Sequence, residues 1–287
     1  MQTQLIGLYA ETPIHAGAGK ALGVIDLPIM REAHTGWPCV YGSAVKGAMR
    51  AAAERSTVNK NFIADVFGPD TDNASDHAGA LLVGDARLLL LPVRSLTTHF
   101  KWVTCPALLA RAAADARRMG KTPPALTLPT PLGESDALVP ATAGTLYLEE
   151  FQFTAKQHDL AAIVEWLAGY VADEDFATRL KNQLVIVSDD LFSHLAQFAT
   201  PVAPHIAIDN KTKTVKQGAL WYEETLPPET VLYVPLAVHD SRKNPKDMPA
   251  EVLLAHTLGL FPAERPYLQL GGNETVGMGW CCVKAVN

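Results

Sequence analysis

A glycine-rich segment stands near each end of the chain, and each surrounds polar residues for which a plain scaffold has no use. The first runs Thr12-Pro13-Ile14-His15-Ala16-Gly17-Ala18-Gly19 and continues to Asp26-Leu27-Pro28-Ile29. The second is Leu270-Gly271-Gly272-Asn273-Glu274-Thr275-Val276-Gly277-Met278-Gly279-Trp280. Glycine permits positive φ and close approach of backbone to a ligand, and loops with exposed N–H groups suit phosphate. One such loop near each end predicts a fold in which two halves of the chain meet around one extended anionic partner. The common nucleotide motifs do not fit. The stretch from Gly17 to Gly23 is one residue too long for the dinucleotide fingerprint. Met278 and Gly279 stand where a phosphate loop needs Lys and Ser/Thr. Tight turns are the plain alternative use of these glycines.

The elements between the two loops follow from periodicity and punctuation. Residues 3–9 read as a strand with Leu5, Ile6 and Leu8 buried, and 11–36 as a long polar loop of the kind that carries function. Ser43 is expected to cap a helix to about Arg55, on which Val45, Ala48, Met49 and Ala52 give the apolar period. Lys46 and Arg50 share a face of that helix. Further helices are expected at 62–67, 106–119, 160–171, 176–181, 189–198 and 248–258, and strands at 80–91, 147–154, 184–187, 231–238, 267–270 and 277–286. Residues 121–145 read as irregular, and 69–79 as an acidic loop. Asp209-Asn210-Lys211 is a hairpin signal between strands at 203–208 and 212–220. Strands and helices mix without regular alternation, which predicts α+β rather than a doubly wound sheet.

At 287 residues the chain makes one or two domains, and 48% hydrophobic residues suffice for a core. No stretch is long and apolar enough to span a membrane, and Met1-Gln2-Thr3-Gln4 lacks the plan of a signal peptide, so a cytoplasmic protein is expected. Four cysteines, Cys39, Cys105, Cys281 and Cys282, show no C-x-x-C and no zinc spacing, and read as reduced thiols. A net charge of −6 argues against nucleic acid as a partner. Its distribution softens that, with base gathered at Lys46/Arg50, Arg111/Arg117/Arg118/Lys121, Lys211/Lys213/Lys216 and Arg242/Lys243/Lys246.

Asp26 is an acid in the otherwise apolar run Gly23-Val24-Ile25-Asp26-Leu27-Pro28-Ile29. An unpaired carboxylate is costly to bury, so it is exposed on a loop, paired to a base, or bound to metal. His15 in its glycine loop is either an acid–base or phosphate group or a hydrogen-bonding turn residue. Lys46 stands in the first turn of its helix, where the dipole disfavours a cation by about 0.3–1 kcal/mol. A docked anion would offset that. Trp37, Trp221 and Tyr222 are either base-stacking platforms or core.

The opening T-P-I-H-A-G-A-G, then D-L-P-I-M-R-E, then G-W-P-C-V-Y-G-S-A-V-K-G-A-M-R at 36–50, resembles the RAMP superfamily, the RNA-binding subunits of CRISPR effector complexes. G-D-A-R-L-L-L-L-P-V-R-S (84–95), V-I-V-S-D-D-L-F (185–192), G-A-L-W-Y-E-E-T-L-P (218–227) and the terminal G-G-N-E-T-V-G-M-G-W narrow the likeness. The set is similar to the repeating backbone subunit of the type III-B (Cmr) complex, and it runs in family order from residue 8 to residue 280.

The resemblance implies a ferredoxin-like, RNA-recognition-like core with helical and loop insertions and a β-hairpin thumb, forming a single RAMP domain over 1–287. The thumb would be 201–220 or part of 121–145. The implied partners are guide CRISPR RNA, target RNA, the other Cmr subunits and, head to tail, further copies of the chain. The implied activity is metal-dependent cleavage of complementary single-stranded target RNA, with Mg²⁺ or another divalent ion. Asp26 is then the catalytic residue, as metal ligand or as base. His15, Glu224 and Tyr233 are secondary candidates, with Glu223 beside them; strand alternation would turn one of the two glutamates outward and one inward. Lys46, Arg50, Ser43, Gly17, Gly19, Gly271, Gly272, Gly277 and Gly279 would contact guide phosphates without reading sequence. Two other readings stay open: an RNA-binding scaffold with an inactive Asp26, and a stand-alone processing ribonuclease with a histidine base and no metal requirement.

Overall fold

The computed structural model describes residues 1–56, 60–69, 77–129, 131–243 and 246–287. The acidic run 70–76 lies outside the described residues. In chain order the elements are β1 (Gln2–Ala10), β2 (Cys39–Val40), α1 (Gly42–Arg55), α2 (Lys60–Phe67), β3 (Leu81–Val83), β4 (Ala86–Arg94), β5 (Phe100–Thr104), α3 (Pro106–Arg118), β6 (Asp136–Val139), β7 (Gly144–Leu148) and β8 (Phe151–Gln157). They continue with α4 (Ala161–Ala168), α5 (Phe176–Gln183), β9 (Leu184–Ile186), α6 (Asp189–Phe198), β10 (Val202–Ile208), β11 (Val215–Glu224), β12 (Val231–Val238), α7 (Ala250–Leu258), β13 (Tyr267–Gln269) and β14 (Trp280–Ala285).

Twelve of the described strands form one open sheet, ordered β13-β14-β1-β12-β4-β5-β9-β6-β8-β7, with β2 laid along β4 and β3 along β12. Helices and loops cover the sheet as insertions, in the manner of a ferredoxin-like RAMP core. β1 explains why both faces are covered. Its residues alternate across the pleat: Ile6, Leu8 and Ala10 enter one core cluster, and Leu5 and Tyr9 the other. The first cluster takes the apolar faces of α1, α2, α6 and α7, the second those of α4 and α5. A fully buried Leu, Ile or Phe in either contributes roughly 1.5–3 kcal/mol. The four cysteines are free, with Cys282 the least buried.

β10 and β11 stand apart as a two-stranded antiparallel hairpin. Ile206 pairs with Leu220, but Ile208 pairs with Val215, so β11 bulges between the two pairs, where Gly218 has φ +73°. Pro204 faces the outer edge, where a missing N–H costs no ladder bond and blocks further pairing.

Four expectations are corrected. Ser43 does not cap α1; the helix starts at Gly42, whose N–H donates to the Asp85 carboxylate at 2.7 Å, so the cap comes from a residue remote in sequence. The strand expected at 80–91 breaks at that Asp85, and its two parts, β3 and β4, lie against different stretches of β12. The strand expected at 147–154 is the hairpin β7–β8, turning at Glu149 with φ +50°, a conformation that a glutamate does not announce. The irregular stretch 121–145 contains β6, which pairs with β8 and β9.

Candidate active site

The two glycine segments meet. Ile14 and Leu226 exchange backbone hydrogen bonds of 3.0 and 2.9 Å, Gly279 N–H donates to Pro13 O at 2.8 Å, and Gly272 N–H donates to His15 O at 2.9 Å. Gly271 is required twice over: its φ is +82°, and a Cβ would lie 2.3 Å from His15 O.

Asp26 and His15 are held by one edge of β11. Trp221 and Glu223 pair with β10, so Tyr222 and Glu224 present their backbone groups to the opposite side. The segment after Asp26 fills that edge as a short third strand. Tyr222 N–H donates to Asp26 Oδ2 at 2.8 Å, Leu27 N–H donates to Tyr222 O at 3.0 Å, and Glu224 N–H donates to Leu27 O at 3.0 Å. Glu224 O then accepts from His15 Nδ1 at 2.8 Å. The anchors of Asp26 and His15 are thus two residues apart on one strand, about 7 Å at the usual rise. No described salt bridge includes Asp26, and the loop before it exposes Leu22 and Val24 fully, at 109% and 90%.

His15 is 9% exposed, and its ring has a defined tautomer. A carbonyl only accepts, so Nδ1 carries a proton, and in the neutral ring Nε2 holds the lone pair. A Cβ at position 17 would come within 2.8 Å of Nε2, so Gly17 leaves that nitrogen uncovered. Glu223 Oε1 lies 3.9 Å from Nδ1 and accepts from Asn273 Nδ2.

Neither glutamate of the pair points outward; Glu223 and Glu224 are 4% and 2% exposed. The glycine loop covers one and the 26–31 segment the other. Glu224 is fully engaged in structure: Oε2 accepts from Ile29 N at 3.0 Å, and Oε1 from Arg31 and from Thr200 Oγ1 at 2.6 Å. It anchors the loop, with both oxygens already hydrogen-bonded. Tyr233 stands apart from that group. It lies in the second core cluster, across the sheet from Ile14, Ala16 and Ile29, and its hydroxyl donates to buried Asp115 at 2.7 Å. Burial and that carboxylate hold its proton on far above the usual tyrosine range. Arg31, Thr200 and Asn273 complete the site and are weakly marked in the sequence. The signals were an arginine at the end of D-L-P-I-M-R, and an asparagine, the residue besides glycine that best tolerates left-handed backbone, inside a glycine loop.

The expected RNA-binding residues group around α1 and the terminal loop. Lys46 is half-buried, and its Nζ donates to Leu81 O at 2.8 Å; desolvation, then Arg50 and Arg242, lower its proton affinity. Arg50 braces the end of α2, donating to Glu54 and to the carbonyls of Gly68 and Pro69. Ser43 is exposed in the first turn of α1. Arg55 at the end of α1 pairs with Glu274, which ties the helix to the glycine loop. Gly19, Gly272 and Gly277 are exposed, Gly17 is half-buried and Gly279 buried. Of the aromatic candidates, Trp37 is core, under Arg111 and edge-to-face with Phe192. Trp221 stacks on His205, and Tyr222 is exposed.

Among the described residues no three or more His, Cys, Asp or Glu side chains gather as a metal cage. Asp26 offers one carboxylate with one oxygen already hydrogen-bonded. That donor set fits Mg²⁺ in its usual protein mode, one carboxylate completed by substrate phosphates and water.

Comparison with known proteins places this geometry in a family. The model of the RAMP superfamily matches residues 8–282. The CRISPR system Cmr endoribonuclease Cmr4 of Pyrococcus furiosus is 36% identical over 285 residues, covering 98% of this chain and 94% of that protein. The crystal structure of oligomeric Cmr4 from Pyrococcus furiosus aligns over 100% of this chain and 98% of its own, with a TM-score of 0.74 and 29% identity. A chain of the type III-B Cmr-beta complex bound to cognate target RNA aligns over 100% of this chain and 98% of its own, with a TM-score of 0.78; at 20% identity that likeness concerns the fold. With matches that run from the first glycine loop to the last strand, the chain belongs to the RAMP superfamily and, within it, to the Cmr4 family.

Proposed function

We propose that the chain is a guide-RNA-binding backbone subunit of a type III-B CRISPR complex that cleaves complementary single-stranded target RNA. Its relatives support the assignment: the Pyrococcus furiosus protein is named a CRISPR system endoribonuclease, and the Cmr-beta assembly is one bound to cognate target RNA. The observation that carries it is Asp26, a carboxylate outside any described salt bridge, hydrogen-bonded to the same strand edge that orients His15.

In the proposed reaction the 2′-oxygen of the target attacks the neighbouring phosphorus and the P–O5′ bond breaks. The 2′-hydroxyl proton goes to a base, and the leaving 5′-oxygen gains a proton. A cyclic 2′,3′-phosphate and a 5′-hydroxyl result. Asp26 accepts the 2′ proton or holds the divalent ion, and His15 Nε2 at the same site serves proton transfer, taking the 2′ proton when the ring is neutral or giving one to the leaving 5′-oxygen when it is protonated. A bound Mg²⁺ would neutralise charge developing on the phosphate. The backbone edge of β11 fixes both side chains, so alignment rests on rigid structure. Lys46, Ser43 and the terminal glycine loop contact the guide backbone, and the β10–β11 hairpin is the element that enters the guide–target duplex.

The test is Asp26→Asn in a complex reconstituted with guide RNA and the other Cmr subunits. Asparagine keeps the shape and removes the charge. Cleavage is expected to fall by ~10²-fold or more, the scale for losing one acid–base participant, with target binding by gel shift retained. Chelation of divalent ions is expected to stop the wild-type complex, which a metal-independent processing ribonuclease would survive. Near-normal cleavage by the variant removes Asp26 from the chemistry; joint loss of binding and cleavage makes it structural and favours the scaffold reading.

A further inference from the structure

We infer that Asn273, in the terminal glycine loop, is a positioning residue for His15, acting through Glu223, so that the guide-facing loop and the cleavage site form one hydrogen-bonded unit. The inference rests on the reading of Asp26 and His15 as the cleavage site and names a residue that this reading does not require. Asn273 has φ +61°, and a one-turn 3-10 helix, Glu274–Val276, follows it. Val276 N–H and Met278 N–H close back on its carbonyl at 3.1 and 3.2 Å. The turn aims the side chain inward, where Nδ2 donates to Glu223 Oε1. Its neighbour Gly272 donates to His15 O at 2.9 Å. The loop therefore grips His15 twice, at its backbone and, through Glu223, beside its ring.

The grip at the ring has a chemical consequence. Nδ1 already donates to Glu224 O, while Glu223 Oε1 waits 3.9 Å away from the same nitrogen. A carboxylate is a stronger acceptor than a carbonyl. Unless something holds it back, Glu223 would compete for the Nδ1 proton and turn the ring. The Asn273 amide supplies that restraint, and Nε2 stays aimed past Gly17. Glu223 is 4% exposed, so water is a poor substitute for the amide. Disturbing the loop, by an empty guide site or by mutation, then moves the ring that serves the target.

Asn273→Gly tests this, because glycine keeps the left-handed backbone at no steric cost and removes only the amide. The measurement is single-turnover target cleavage by reconstituted complexes carrying wild type, Asn273→Gly, Glu223→Ala, the double variant and Asp26→Asn, with guide and target affinities for each. Asn273→Gly is expected to slow cleavage by about 10- to 100-fold, the scale for a small misplacement of a reacting group. Guide and target affinities should stay within about twofold, and the double variant should be no slower than Glu223→Ala, because residues acting through one another are not additive. In the full chain alone, ¹⁵N-histidine NMR should show the His15 ring resonances shifted by Asn273→Gly and those of the other histidines unmoved. Wild-type cleavage by Asn273→Gly, additive losses, or a loss of guide affinity that accounts for the loss of rate would overturn the inference. A wild-type complex that does not cleave overturns the cleavage reading instead; the NMR arm then decides the link alone, and unmoved His15 resonances overturn it.

Discussion

Lys46 leaves the second turn of α1 half-buried, because the helix starts earlier than a Ser43 cap would place it, and donates to Leu81 O where desolvation and two arginines oppose its charge. A phosphate docked beside it would oppose both effects, which is the physical basis for a guide contact. Lys46→Ala is expected to weaken guide binding by ~10-fold, about 1.5 kcal/mol for one charge-assisted hydrogen bond. Because each phosphate contact on single-stranded RNA releases counterions, the log–log salt slope should also flatten by about 0.7. Fluorescence anisotropy of guide RNA at several salt concentrations reads both; unchanged affinity with an unchanged slope would place Lys46 outside the guide path. Arg50 gives the contrasting case at the same scale. Its guanidinium braces the chain after α2, so Arg50→Ala would mix folding with binding and is the poorer probe.

The β10–β11 hairpin is the element whose exposure most demands a partner. Ile206, Ile208, Val215, Leu220 and Tyr222 are each more than a third exposed, and Lys211, Lys213 and Lys216 surround the tip. Asp209 turns the chain by accepting from the N–H groups of Lys211 and Thr212 at 2.8 and 3.0 Å, which lowers its proton affinity and keeps the tip closed. Replacing the three lysines with Gln is expected to leave guide affinity intact and to reduce the salt slope of target binding by up to about 2, at 0.7 per phosphate. An unchanged slope would move the duplex-entering role to residues 121–135. This hairpin was legible in sequence because Asp209-Asn210-Lys211 is a local turn signal between extended runs. β1 and β12 were legible for the same reason: their apolar runs carry their own ends. What was not legible depends on partners distant in the chain. Asp85 caps α1 from beyond β3, Glu149 turns β7 into β8 without a turn residue, and the terminal glycine loop and the 26–31 segment between them bury Glu223 and Glu224, where strand alternation predicts one outside. The site divides similarly. Its glycine loops, Asp26 and His15 announce themselves by composition, whereas Arg31, Thr200 and Asn273 matter only through what the fold brings beside them.

At the scale of the whole molecule, a chain of net charge −6 is poorly suited to bind RNA as a diffuse polyanion sink. Much of its base is already neutralised inside the fold: Arg111 by Glu32, Arg87 and Arg118 by Asp115, Arg31 by Glu224. The contacts proposed for RNA, at α1, the terminal glycine loop and the hairpin tip, make a short binding site per copy. A short site suits a subunit repeated along a guide, each copy adding a few phosphates and one contact to its neighbour. Exposed Leu22 and Val24 beside Asp26, together with the apolar flanks of the hairpin, are surfaces that such a neighbour would cover. The head-to-tail contact is heterologous, so nothing in its symmetry closes it, and a second nucleic-acid strand sets the length. The protein is therefore expected to self-associate, and to do so in register with guide RNA: light-scattering mass should rise in steps as the guide is lengthened, each step one chain. Fewer steps should be seen in high salt, because the phosphate contacts weaken while the apolar contact between copies does not. A monomeric mass both with and without guide RNA, at every guide length, would show that assembly depends wholly on the other subunits.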